Sequence, residues 1–229
     1  MRRLALLLEK PREQLEMLEL PRLDLLRAEV GALVRQDQPS RLEAVLYHDV
    51  NDPRGVGVLG MSEDPGFFVG PFRELLNTGA FGALRLKPEL TMLGRTYASG
   101  FEADLDEWLL RRPRRTALNP AWPWGIWYPL RRTGGFARLT PQEQGAIIRE
   151  HSVLGRAYGE ADLAHDVRLA CHGLDAHDND FVIGLVGREL HPLSHLVHAM
   201  RKTVQTSQYI HTLGPFFVGH ALWQSAVRS

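Results

Sequence analysis

Between residues 125 and 218 the hydrophobic period switches in a fixed order, and that order limits the folds open to this chain more than any other feature. Residues 125–132 (GIWYPLRR) set Ile126, Tyr128 and Leu130 against Trp127 and Pro129, the two-residue period of a strand. Thr140-Pro141-Gln142-Glu143 combines a capping box with proline at the first helical position, which predicts a helix from Pro141 to about Tyr158, with Gly159 as its stop. Val167, Leu169 and Cys171 alternate again. After the turn-rich GLDAHDND, the apolar run 181–186 completes a hairpin. His191-Pro192 opens a second helix with an apolar stripe at Leu193, Leu196, Val197, Met200 and Val204. Phe216, Phe217 and Val218 begin a last strand. The order is βαββαβ, the ferredoxin-like split unit.

The N-terminal half repeats this order less cleanly. A strand is expected at 4–8, a helix at 11–36 broken at Pro21, and strands at 42–47 and 55–61 around the turn Asn51-Asp52-Pro53. A short helix at 71–77 and a strand at 86–98 follow. The halves share element order rather than sequence. Between them, residues 111–124 (RRPRRTALNPAWPW) read as an ordered connector rich in proline and arginine. The expected organisation is therefore an N-terminal ferredoxin-like unit over 1–110, the connector, and a C-terminal unit over 125–229. Packed face to face, the two sheets make an α+β barrel within one chain.

Composition removes several function classes. Lys plus Arg equals Asp plus Glu, 27 of each, so no global field draws nucleic acid or an anionic membrane. The single cysteine, Cys171, excludes an internal disulfide framework and a cysteine zinc cluster. No stretch approaches the roughly 20 apolar residues of a membrane span. The apolar run after Met1-Arg2-Arg3 ends within five residues at Glu9, Lys10 and Pro11, too short for a secretion signal, so a cytoplasmic location is expected.

His151 shares a helix face with Ile147, Leu154 and Tyr158. A histidine on such a stripe either bonds a backbone carbonyl in the core or offers a ring nitrogen to a metal or buried cofactor. Arginines gather at Arg111, Arg112, Arg114 and Arg115, at Arg131 and Arg132, and at Arg201. Convergence of several would suit a polyanion, whereas a solvated charge run would not. His191, His195 and His198 have a spacing compatible with zinc, as do Asp175, His177, Asp178 and Asp180 with a hard cation. An exposed helix face and a polar hairpin turn explain both sets more simply. Tyr128 points inward with Ile126 and Leu130, and a buried hydroxyl requires a partner or a task.

Tyr128-Pro129, the helix REHSVLGRAY around His151, the turn GLD at 173–175, Met200-Arg201 and GPFFVG at 214–219 together resemble the chlorite dismutase-like superfamily, and within it most closely the coproheme decarboxylases. The resemblance covers about residues 110–223 and is faint before that. It implies two ferredoxin-like units per subunit, haem in the C-terminal unit, and assembly as a homopentamer. It further implies that His151 is the axial ligand of the iron and that Tyr128 is the tyrosine that forms a radical and attacks the propionates. Arg114, Arg132, Arg201 and Ser207 match positions that hold propionates, and His165 or Asp166 falls where a distal base would act on hydrogen peroxide. Iron coproporphyrin would then be substrate and cofactor together. Chlorite dismutases carry a distal arginine thirteen residues after the histidine. Here that position is Ala164, or Asp166 counted back from GLD, which argues against chlorite chemistry. No acidic residue lies between Met200 and Gly219, where the family places a carboxylate that orients the histidine; Gln205 or Thr206 falls nearest. A non-catalytic haem-binding or haem-sensing protein on the same fold is the alternative function.

Overall fold

The computed structural model describes residues 3–4, 7–9, 21–35, 43–100 and 102–226. In the first half, strands β1 (Arg3–Leu4) and β2 (Leu7–Glu9) precede helix α1 (Pro21–Arg35). The hairpin β3 (Glu43–Asp49) and β4 (Val56–Met61) follows, then helices α2 (Gly66–Val69) and α3 (Pro71–Asn77). The short strands β5 (Arg85–Leu86) and β6 (Gly94–Arg95) end this half. A helical stretch from Glu107 ends in α4 (Arg112–Ala117). The second half holds β7 (Trp124–Arg132), the single turn α5 (Gly134–Ala137), α6 (Pro141–Glu160), β8 (His165–Ala170) and β9 (Phe181–Gly187). It closes with α7 (Leu190–Met200), α8 (Val204–Tyr209), β10 (Ile210–Leu213) and β11 (Phe217–Gln224). Among the described residues, no helix is long and apolar enough to cross a membrane.

Among the described residues all pairings are antiparallel, in the order β1-β6-β8-β9-β7-β11-β3-β4-β2-β5, with β10 added to β7. In the second half β7 lies between β9 and β11, and β8 lies outside β9, the arrangement of a ferredoxin-like unit. β11 joins β3 and β8 joins β6, so the two units share one sheet. β1 pairs β6 while β2, three residues on, pairs β4. The two ends of the path meet there, and the sheet curls into an α+β barrel.

Strand alternation divides the core accordingly. Val45, Tyr47, Leu59, Met61, Trp127, Val167, Leu169, Val182, Val186 and Phe217 fill the barrel. Ala44, Leu46, Val56 and Val58 face outward against Leu26, Val30 and Val34 of α1 and Phe72 of α3. Ile126, Tyr128, Leu130 and Leu185 face outward against Leu193 and Leu196 of α7, with Leu154 and Tyr158 of α6. Gly184 lies opposite Trp127, and a Cβ there would sit 2.1 Å from the indole Cζ3. Gly184→Ala is therefore expected to lower unfolding stability by about 1–3 kcal/mol or more through overpacking. A wild-type urea midpoint in this variant would contradict the stated packing.

The capping box at Thr140 and Glu143 forms, and α6 begins at Pro141 as expected. Three expectations need correction. The helix passes through Gly159; it ends beyond Glu160, with Asp162 at φ 54° and the Leu163 amide donating to the Tyr158 carbonyl. The strand expected at 86–98 is two short pieces separated by a turn at Pro88–Leu90, because proline supplies no ladder donor. The stripe of α7 stops at Met200, and Val204 opens α8 under the cap Thr203. Neither α8 nor β10 was expected. Helix α1 begins at Pro21, whereas the expected segment 11–20 lies outside the described residues.

Candidate functional site

The outer face of the second unit brings chemistry-bearing residues together. The register aligns Tyr128 with Ile183 and Ile183 with Arg168, and Ile126 with Leu185 and Leu185 with Asp166. Cross-strand partners share a face, so Arg168 and Asp166 look out on the same side as Tyr128. His165 belongs to the opposite face. It stacks on Trp122 with ring centroids 3.6 Å apart and bonds Asp162 through Nε2 at 2.8 Å. Of the two distal candidates, the fold therefore turns Asp166 towards Tyr128 and His165 away.

Tyr128 is buried beside Phe216, with centroids 4.7 Å apart, and its hydroxyl makes no hydrogen bond among the described residues. Burial, and behind it the charge of Asp166, raises that hydroxyl well above the ordinary phenol value, while Arg201 acts in the opposite direction. Burial also opposes ionisation of Asp166. Arg168 and Arg112 outweigh it and hold the carboxyl below its usual value. The contacts are close: Arg112 Nη2 lies 2.6 Å from Asp166 Oδ1, and Arg168 Nε lies 2.7 Å from Oδ2. Both guanidinium groups lie over the Trp108 ring, at 4.7 and 5.3 Å.

His151 projects from α6. Burial lowers its pKa first, and Arg132 and Arg168 lower it further, against weaker opposition from Glu150 and Asp166. The ring is thus a neutral imidazole at physiological pH, the form that ligates a metal. Its Nδ1 lies 3.3 Å from Thr203 Oγ1, while Nε2 has no partner among the described residues.

Arg132 sits at the end of β7 with its guanidinium 4.4 Å over Phe136 and 4.8 Å over Phe181. Its Nε is buried without a hydrogen-bond partner, although it carries a charge that no pH near neutrality removes. A half-buried cation with an idle donor is a ready site for an anion. Arg201 is exposed at the end of α7 and forms no ion pair among the described residues, yet its charge reaches the Tyr128 hydroxyl.

Other expected residues stand elsewhere. Arg114 is tied to Glu43 at 2.5 Å and Glu63 at 3.2 Å, both from the first unit, so the fold does not bring it to this group. Ser207 donates to the Thr203 carbonyl at 2.8 Å, inside α8. Arg111, Arg115 and Arg131 form ion pairs with Asp106, Glu107 and Asp178, as a solvated charge run would. His191, His195 and His198 lie exposed along α7, where the Tyr158 hydroxyl bonds His195 Nδ1. Asp175 instead accepts from the backbone and side chain of Asn179 at the hairpin turn. Arg112 was expected only as one of the clustered arginines, Arg168 and Thr203 were not singled out as site residues, and Thr203, rather than Gln205 or Thr206, meets the histidine.

One available imidazole nitrogen does not make a site for a bare ion. Among the described residues, no group of three His, Cys, Asp or Glu side chains is placed to hold one. A metal already held by a planar organic anion fits better. His151 would hold such a metal through its available nitrogen, and Arg132 and Arg201 would meet carboxylates of the organic anion.

Residues 72–222 match the family model described as chlorite dismutase. No protein of curated function matches the chain. Among solved structures, the chain is similar to a haem-binding protein from Thermus thermophilus, at 19% identity, 96% coverage of this chain, 90% of that one and a TM-score of 0.74. It is also similar to the chlorite dismutase of Candidatus Nitrospira defluvii in complex with imidazole, at 16% identity, 96% and 90% coverage and a TM-score of 0.72. These two likenesses are likenesses of fold.

Proposed function

This chain belongs to the chlorite dismutase family, and from that premise we propose that it binds an iron porphyrin through His151 and decarboxylates iron coproporphyrin to haem b with hydrogen peroxide. The observation that carries this reading is the shared outer face of the second unit. There a buried phenol, a half-buried imidazole and a half-buried guanidinium with an idle, buried Nε lie on one side of the sheet, and the charge of Asp166 acts on both the phenol and the imidazole. The likeness to the haem-binding protein of Thermus thermophilus supports the cofactor class.

When bound, the porphyrin iron supplies oxidising power drawn from peroxide. The chain supplies the rest. His151 would hold the porphyrin iron through its available ring nitrogen. Arg132 and Arg201 would orient propionates beside Tyr128. Tyr128 gives up an electron and a proton, and its radical takes hydrogen from a propionate β-carbon. Loss of carbon dioxide then leaves a vinyl group. Each such event removes two electrons from the substrate and converts one peroxide to two waters, and two events give haem b. Burial keeps the Tyr128 hydroxyl protonated until that step.

The absence of arginine at 164 or 166 argued against chlorite chemistry. Arg168 does lie on the same face, but Asp166 and Trp108 engage it. One observation favours the alternative of a haem-binding or haem-sensing protein: the histidine meets a neutral hydroxyl rather than a carboxylate. A weaker donor to iron suits storage or sensing better than peroxide chemistry.

Titration with iron coproporphyrin and with haem b tests the arginine assignment. Charge-assisted bonds contribute roughly 1.5–3 kcal/mol each. Arg132→Ala or Arg201→Ala should therefore weaken iron coproporphyrin about tenfold or more, and haem b less, since it lacks two of the four propionates. Equal losses for both porphyrins would mean these arginines do not read the substrate.

A further inference from the structure

We infer that Thr203 is a positioning residue that presets His151 in the Nδ1–H form and so aims the bare Nε2 as a neutral ligand; the inference rests on the reading of His151 as the axial ligand. The protons around a single oxygen decide it. Thr203 is 5% exposed and caps α8, with Oγ1 2.8 Å from the Met200 carbonyl. A carbonyl only accepts, and this is the shortest contact of the hydroxyl, so its one hydrogen is directed there. The remaining neighbours of Oγ1 are the Thr206 amide at 3.4 Å, the Thr206 hydroxyl at 3.3 Å and His151 Nδ1 at 3.3 Å. The oxygen keeps two lone pairs: the Thr206 amide takes one, the Thr206 hydroxyl can turn its hydrogen elsewhere, and the contact with His151 Nδ1 is a bond only if the ring donates to the other. A neutral imidazole that donates from Nδ1 has its lone pair on Nε2, the atom available to a metal.

A further feature makes the arrangement specific. The carboxylate next to His151 on the same helix is Glu150, and it accepts from the Val204 amide at 3.0 Å. Glu150 therefore anchors α8, and with it Thr203, against α6. A hydroxyl whose hydrogen is committed elsewhere can accept a bond from the imidazole but cannot take its proton. The ligand consequently stays neutral and donates more weakly to iron than one backed by a carboxylate.

Imidazole nitrogen NMR on cofactor-free protein labelled at histidine, at about pH 8 where ordinary histidine is neutral, reads the form directly. The His151 signals are identified by their loss in His151→Gln. Wild type and Thr203→Ser are expected to show a protonated Nδ1 and a bare Nε2, and Thr203→Val to lose that preference. Thr203→Ser keeps both cap and hydroxyl, so it separates the hydrogen bond from any unfolding of α8 in Thr203→Val. A protonated Nε2 in wild type, or identical signals in wild type and Thr203→Val, would overturn the inference. In protein loaded with ferrous haem b, Thr203→Glu should raise the iron–histidine stretching frequency and Thr203→Val lower it. The same frequency in all three proteins would also overturn it. If the protein binds no porphyrin, the function proposed above fails, and the nitrogen signals still decide this point.

Discussion

His151→Ala is expected to fold and to lose its iron porphyrin. Replacement of groups that merely orient a metal ligand costs about 10–100-fold in affinity, so removal of the ligand itself should cost at least that much. The histidine–iron absorbance signature should vanish as well. Folding should be little affected. The ring sits partly buried on α6 and its hydrogen bond is the 3.3 Å contact with Thr203, so the unfolding free energy should fall by no more than about 1 kcal/mol. Imidazole added to the variant should restore part of the signature. Wild-type spectra and affinity without it would remove His151 from the site.

Tyr128→Phe separates enzyme from binder. The phenyl ring keeps its packing against Phe216, and the hydroxyl has no hydrogen bond among the described residues to lose. Stability should stay within about 1 kcal/mol of wild type, and porphyrin affinity should stay close to it. Decarboxylation should stop or fall by orders of magnitude, because a benzene ring cannot supply the phenolic hydrogen. Haem b formed at the wild-type rate by Tyr128→Phe would refute the mechanism. The two substitutions thus fail in different ways, one in binding and one in chemistry.

What the sequence made legible follows the range of the forces involved. Local signals served well in part: the box at Thr140 and Glu143 and the short helix over 71–77 form, and Tyr128 does share a face with Ile126 and Leu130, but that face, expected to point inward, looks out of the barrel onto α6 and α7 while Trp127 fills the interior. The strand expected over 86–98 overlooked a warning within the sequence itself, the proline at 88. Non-local contacts were not legible. Arg114 has the right spacing from Tyr128, yet its fate is decided by Glu43 and Glu63 from the other half of the chain. Thr203 meets a histidine 52 positions earlier, a relation that no periodicity encodes. Asp166 and His165 could not be told apart while the loop length was ambiguous, and the pairing of β8 with β9 separates them at once. Arg168 was within reach of sequence reasoning. Once Val167 and Leu169 face the barrel, positions 166 and 168 must share the other side.

That outer face is where the account stands or falls, and product analysis on the wild-type protein tests it most directly. Purified protein is mixed with iron coproporphyrin, hydrogen peroxide is added in small steps, and the porphyrins are separated by chromatography. Successive loss of two carboxyl groups as carbon dioxide is expected, with haem b as the end product. Tight binding of iron coproporphyrin with no haem b formed would contradict the account, and would leave a binding protein in which Tyr128 only packs.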